Sequence, residues 1–307
     1  MNRLDIEVDG NVFSTLHLGD PARPLVLCAH GFPDHPSTFE SLASVLVRAG
    51  YRVVAPWLRG YFPSTLAGPY DARSIARDLV AIADHLSPAQ PIRLIGHNWG
   101  AVAAYEAIEH WPHRFHAAVT MAVPHRRTYV RNLTFAQIRS NLYMLFLSLP
   151  IVAQKRVIRD DFAFVDRLWR DWAPGYTPNP EYMRAIKDCL RQSLPAPIRY
   201  YRAMLADLGW LIRSVLAGSA DPIRVPTLHL QGAVDPCVLP ETAAGQESLF
   251  SAPYASVLVQ GAGHFPHLEA KEIVGGLVTD WFYEHANPSE RGQRAPFASP
   301  DRATARA

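Results

Sequence analysis

Cysteine is scarce: Cys28, Cys189 and Cys237 are odd in number and far apart. That excludes a disulfide framework and points to a reducing compartment. Net charge is nearly absent as well, +2 at pH 7 from 30 Lys+Arg and 28 Asp+Glu. So small a balance makes no electrostatic case for nucleic acid or an acidic membrane. The 13 histidines are scattered and show no metal-ligand spacing such as His-Glu-x-x-His, so no metal or cofactor is expected. Long apolar runs are missing too. The most apolar stretch, Leu142 to Ala153, is broken by Pro150 and too short to span a bilayer. Residues 1–7 lack the apolar core of a signal peptide. A soluble cytoplasmic protein is expected, of unreadable oligomeric state.

What the chain does have is apolar content, 49% over 307 residues. That suffices for two domains or for one large α/β domain with an insertion. Leu4 to Val8 and Val12 to Leu18 alternate like a strand pair around Asp9-Gly10. Pro24 to Cys28 is a continuous apolar run, as in a buried parallel strand. Ser37 onward reads as a helix capped by Ser37, followed by a strand over Tyr51 to Ala55 and a helix over Tyr70 to Leu86. A second buried strand ends at Gly96, and Ala117 to Val123 is another. This alternation predicts a mostly parallel central sheet flanked by helices.

From about residue 126 to 219 no buried strand is evident. Helical segments are expected over Phe135 to Leu149, Asp160 to Trp172, Glu181 to Leu194 and Pro195 to Trp210. The pattern predicts an α/β core over 1–125 and 220–286, an inserted helical cap over 126–219 and a flexible tail over 287–307. The core resumes with a strand over Pro226 to Gly232, a helix near Thr242 to Leu249, a strand over Tyr254 to Val259 and a closing helix over Leu268 to Tyr283.

Four features sit at expected strand ends. His30-Gly31-Phe32-Pro33 follows the first buried strand. Gly96-His97-Asn98-Trp99-Gly100 forms a strand–turn–helix bend that lifts residue 98 above the sheet. Asp235 follows Gln231-Gly232, and His264 lies on the glycine-rich loop Gly261 to Pro266. The backbone N–H groups of Phe32 and Trp99 are candidates for an oxyanion hole. His264 is the candidate general base and Asp235 the acid that orients it. His97 points away from the bend's apex and reads as packing, and His35, His125 and His267 read as structural.

These motifs, in this order, resemble the α/β-hydrolase superfamily over residues 1 to about 286. Together with Arg59-Gly60-Tyr61 and Val123-Pro124-His125, they most resemble its epoxide hydrolase group. The resemblance implies that residue 98 attacks an epoxide carbon to form an ester, and that a water activated by His264 hydrolyses the ester. It implies two cap tyrosines that bind the epoxide oxygen, matched by Tyr143 in Tyr143-Met144-Leu145-Phe146 and by Tyr201 in Tyr200-Tyr201-Arg202, with Tyr200 the alternative. It implies a small apolar substrate bound by His30, Phe32, Trp99, Tyr143 and Tyr201. The cap aromatics Phe146, Phe162, Phe164, Trp169, Trp172 and Trp210 suit such a substrate.

In the family position 98 is aspartate; here it is Asn98, a neutral amide. As written, the chain is expected to be inactive or weakly active, because losing such a nucleophile costs on the order of 10⁶ in turnover. Three accounts of Asn98 stay open: an engineered inactivation, a native ligand-binding pseudoenzyme, and self-hydrolysis of the amide to aspartate. A haloalkane dehalogenase-like activity, or a histidine- and water-dependent ester or lactone hydrolase, is the alternative chemistry.

Overall fold

The computed structural model describes residues 1–217 and 221–286, leaving the expected tail and the last residues of the insertion outside the described residues. Eight strands form one sheet: β1 (Asn2–Val8), β2 (Asn11–Leu18), β3 (Leu25–Ala29), β4 (Arg52–Pro56), β5 (Ile92–His97), β6 (Phe115–Met121), β7 (Thr227–Gly232) and β8 (Tyr254–Val259). Their order is β1-β2-β4-β3-β5-β6-β7-β8. Every pair from β4 to β8 is parallel, and β1 and β2 pair antiparallel at one edge. The α/β fold and its mostly parallel sheet are as expected. β3, β5 and β7 are buried along their whole length; β3 is a continuous apolar run, whereas β5 and β7 also bury Arg93, His229 and Gln231.

Helices cover both faces. α1 (Glu40–Arg48) packs on one face with the C-terminal helix; α2 (Ala72–Leu86) and α3 (Trp99–His110) pack on the other. The first of these differs at its start. Pro36–Phe39 is a 3₁₀ turn, and the ring of His35, not Ser37, accepts from the Ser37 N–H. Asp71 caps α2 by accepting from the Ser74 N–H.

Six helices lie between β6 and β7 among the described residues: α4 (Arg126–Arg131), α5 (Phe135–Ser140), α6 (Leu142–Leu147), α7 (Pro150–Trp172), α8 (Pro180–Ser193) and α9 (Ala196–Ala217). The single helix expected over Phe135 to Leu149 is two, because Asn141 closes α5 and opens α6. α7 is broken at Arg159–Phe162, where Asp160, Asp161 and Phe162 take left-handed φ values of 52°, 50° and 62°. The buried Phe162 anchors that break. Between β7 and β8 the expected helix is instead two 3₁₀ turns, Pro240–Ala243 and Gln246–Leu249. The chain closes with α10 (Pro266–Glu269) and α11 (Lys271–Glu284), the latter packed beside α1. No single helix among the described residues is long and apolar enough to cross a membrane.

Candidate active site

The bend between β5 and α3 is shaped by what cannot fit there. A Cβ on Gly96 would lie 2.2 Å from the Gly100 carbonyl oxygen, and one on Gly100 would lie 1.9 Å from that of Ala29. Both positions therefore need glycine for space. Between them Asn98 is held at φ 54°, ψ −116°, a conformation that costs an L-residue energy and persists only because its surroundings impose it.

The strained turn aims the Asn98 amide at three partners. Its Oδ1 accepts from the backbone N–H of Phe32 at 3.1 Å and of Trp99 at 2.8 Å. Trp99 opens α3, so the positive end of the helix also faces this oxygen. Two N–H donors converging on one atom make it the oxygen, which leaves Nδ2 facing His264 Nε2 at 2.8 Å. An amide N–H donates there, so Nε2 is the acceptor and the ring's proton sits on Nδ1. That nitrogen lies 2.8 Å from Asp235 Oδ2.

Asp235 is held in turn. Its Oδ1 accepts from the backbone N–H of Cys237 and Val238, and its Oδ2 from Gln231 Nε2 at 3.0 Å. The loop carrying His264 is fixed by Glu269, whose two carboxylate oxygens accept from the Gly263 and Phe265 N–H groups at 2.8 Å each. The His264 N–H donates to the Trp172 carbonyl at the end of α7, tying the insertion to this loop. Gln231, Cys237 and Glu269 were given no site role from sequence, and Trp172 was read only as a cap aromatic. Glu269, five residues past His264 in a glycine-rich loop, is the one with a readable signal.

Burial pushes the His264 ring toward neutrality, but the Asp235 carboxylate beside it outweighs this and raises its proton affinity well above the ordinary histidine value. The Asn98 contact requires the neutral ring, since a second proton on Nε2 would set two donors 2.8 Å apart. The geometry decides for neutral His264 while residue 98 is an amide.

Above Asn98 lies a cavity of about 360 Å³. Asn98, Trp99, Tyr143 and Tyr201 all line it. The rings of Tyr143 and Tyr201 meet edge to face, 5.9 Å between centroids. Tyr143 Oη lies 3.5 Å from Cys237 Sγ, and Tyr201 Oη is buried without a hydrogen-bond partner among the described residues. Burial raises the pKa of both phenols. Tyr200 is occupied elsewhere: its hydroxyl donates to the Arg59 carbonyl.

Two expectations need correction. His30, read as substrate-binding, is fully buried and does not line this cavity. Its Nδ1 lies 2.9 Å from the Gly31 carbonyl, and its Nε2 accepts from the Leu58 N–H. Burial lowers its pKa to about 3, so it is a neutral strut of the loop. The cap aromatics are not the cavity's walls either. Phe162 and Trp169 are buried in the protein core, and Phe146 meets Phe164 at a tilt, 6.0 Å between centroids, in a separate surface recess. Trp172 packs edge-on against His264, 5.1 Å between centroids. The side chain of Trp210 lies outside the described residues. Phe32 reaches the site through its N–H, with its ring packed on Tyr201.

Behind His264, Asp34, His97 and His267 bring ligand-type atoms within 4.8 Å of one another, all buried. His97 Nε2 donates to the His264 carbonyl at 2.8 Å, and His267 Nε2 meets Thr38 Oγ1 at 2.6 Å. The Nδ1 of each ring and Asp34 Oδ2 have no protein partner among the described residues. One carboxyl and two imidazoles suit a divalent ion or a bridging water. No spacing rule could find this group, because it joins three separate segments.

Comparisons with known proteins agree with this architecture. Residues 24–271 match the family model described as the alpha/beta hydrolase fold. The chain belongs to the α/β-hydrolase fold family. Within it, the similarity is to epoxide hydrolases. Epoxide hydrolase A of Mycobacterium tuberculosis is 26% identical over 89% of this chain and 95% of its own length. An epoxide hydrolase of Caballeronia sordidicola is 37% identical, but over only 36% of this chain and 34% of its own. Among solved structures, Epoxide Hydrolase A from Mycobacterium thermoresistibile superposes with a TM-score of 0.77 at 26% identity, covering 91% of this chain and 97% of its own. The Bacillus megaterium epoxide hydrolase, at 21% identity and a TM-score of 0.81 over 91% of this chain and 99% of its own, shares the fold.

Proposed function

We propose that this α/β hydrolase is an epoxide hydrolase scaffold whose nucleophile position is occupied by an amide. One observation carries the reading: Asn98 Oδ1 accepts from two N–H groups, Asn98 Nδ2 faces His264, and the hydroxyl-bearing rings of Tyr143 and Tyr201 share the cavity above.

With a carboxylate at 98, the chemistry runs in two steps. A carboxylate oxygen attacks an epoxide carbon, and the ring C–O bond breaks. The phenols of Tyr143 and Tyr201 donate to the oxygen as it becomes an alkoxide. The ester's carbonyl oxygen then occupies the position of Asn98 Oδ1. His264 Nε2 takes a proton from water, whose oxygen attacks the ester carbon, and the developing oxyanion rests on the Phe32 and Trp99 N–H groups. Asp235 stabilises the imidazolium. Collapse breaks the ester C–O bond, the leaving alkoxide takes the imidazolium proton, the second proton of the water ends on the oxygen held by Tyr143 and Tyr201, and the diol leaves with the carboxylate restored. The Asn98 amide has no charge with which to begin, so the chain as written is inactive or weakly active.

Asn98→Asp, assayed beside the unmodified chain on aryl and alkyl epoxides, tests this. Turnover by the variant alone supports it; no turnover of any epoxide overturns it, and saturable binding without turnover by either form would favour a binding protein. A histidine- and water-dependent ester or lactone hydrolase would instead act without residue 98 becoming labelled in heavy-oxygen water.

The same geometry favours a second reading, in which His264 hydrolyses Asn98 itself. The amide carbonyl already lies between the donors that would hold a tetrahedral oxyanion. Water activated by His264 attacks the amide carbon, the C–N bond breaks, and ammonia departs with a proton from the imidazolium. A one-dalton gain in intact mass on incubation, localised to residue 98, supports it. An unchanged mass over days excludes it.

A further inference from the structure

The net charge of +2 hides a strong local segregation. Between residues 126 and 159 there are seven Lys and Arg and no Asp or Glu. The same segment leaves large apolar side chains in solvent: Phe135 is 83% exposed and Ile151 70%, and Ile138, Leu142, Leu145 and Val152 are each at least half exposed. A patch of this kind on a folded protein marks an interaction surface.

We propose that this face of the insertion, α5, α6 and the first half of α7, docks on an anionic lipid bilayer. Three observations select that partner. The first is charge. Arg139, Lys155 and Arg156 are exposed and have no ion-pair partner among the described residues. A second copy meeting this face by two-fold symmetry would set like charges against each other, whereas anionic headgroups complement them.

The second is shape. The helices Phe135–Leu147 and Ile151–Trp172 meet at 94°. No straight apolar span runs through both helices, and the proposed docking lays them along the interface, with apolar side chains toward the acyl chains and basic ones toward the headgroups. Arg139 and Arg156 line a surface cavity of about 480 Å³ with Leu142, Phe146 and Phe164; its one carboxylate, Asp171, is paired with Arg167, so the unpaired charge in the recess is cationic.

The third is continuity with the site. Leu133, Ile138 and Leu145 belong both to the exposed face and to the lining of the cavity over Asn98. The docked face thus rims the cavity's mouth.

Co-sedimentation of the full chain with vesicles tests the proposal independently of catalysis. Binding to phosphatidylglycerol-containing vesicles is expected, about tenfold or more above that to pure phosphatidylcholine, and weaker at high salt. The double variant Phe135→Ser/Ile151→Ser, both sites exposed, should lose about tenfold or more while keeping its melting temperature. Arg139→Glu/Arg156→Glu should lose the anionic preference selectively. Equal binding to both vesicle types, no binding to either, or undiminished binding by both variants overturns the proposal. So does a dimer by sedimentation velocity that Phe135→Ser/Ile151→Ser dissolves while vesicles capture nothing, which would assign the face to a second copy.

Discussion

Asn98, His264 and Asp235 are at most 5% exposed, and each of their side-chain polar atoms has a partner. The outer face of α5 to α7 follows the opposite rule, presenting Phe135, Ile138 and Ile151 to solvent. The floor of the cavity is over-determined by glycine spacing and backbone donors. Its rim is under-determined, with apolar surface uncovered and Arg139, Lys155 and Arg156 without an ion-pair partner among the described residues. A rigid floor suits chemistry that needs fixed angles. An open rim suits partner and substrate choice, and can vary without disturbing the floor.

The largest expected effect tests the floor. Asn98→Asp should raise epoxide turnover by on the order of 10⁵–10⁶-fold, measured as diol formation, because it restores the one missing charge to a finished frame. If the frame is as complete as its hydrogen bonds imply, no second substitution is needed.

Next come the partners of that carboxylate. In the Asn98→Asp background, His264→Gln should cost about 10²–10⁴-fold in steady-state turnover and trap the alkyl-enzyme ester, visible by mass spectrometry after one turnover. Trapping separates loss of the base from loss of the nucleophile.

A smaller effect separates the two neighbouring tyrosines. Tyr201→Phe and Tyr143→Phe should each lower epoxide turnover about 10–100-fold with little change in melting. Tyr200→Phe should leave turnover within about twofold and cost about 1 kcal/mol of stability, since it strands the Arg59 carbonyl. The reverse pattern would exchange their roles.

The smallest expected effect concerns pH. Burial holds His30 and His267 neutral, with pKa values near 3, and His35 and His229 likewise near 4. The unfolded chain takes up these protons below about pH 6.5 while the folded chain does not, so stability falls as pH drops. Each site should cost about 2 kcal/mol between pH 7 and pH 5. Asp34, held up to about 7 chiefly by burial, works in the other direction: it is protonated in the fold, and its contribution is lost as pH rises through 7. It offsets about one histidine. His267→Gln should lose about 2 kcal/mol less than the unmodified chain on acidification, read from urea midpoints at pH 7 and pH 5.

The floor was far more legible from sequence than the rim. Gly96-x-Asn98-x-Gly100 and the loop around His264 are local devices that their order along the chain makes readable, and Tyr254–Val259 has the bounds read for it. Reading failed where distant segments settle the outcome. His30 looked available until Leu58 and Gly31 claimed its nitrogens. Asp34, His97 and His267 meet only in the fold. The helix expected from Asp160 begins at the observed break, but the helical stretch before it, from Pro150, was missed because Pro150 reads as a stop. Counting charge over the whole chain likewise averaged away the basic segment on the rim.

The insertion leaves the sheet after β6 and returns at β7, and those two strands pair directly through Ala118 with Thr227 and Met121 with Leu230. Among the described residues between them, the one strand-like pairing is the isolated bridge of Ile223 with Phe250, just before β7. The strand register is thus set without the helical segment, while the loop of His264 is not: it leans on the Trp172 carbonyl, so exchanging the helices for a relative's counterpart should leave the sheet paired and require that one contact to be kept.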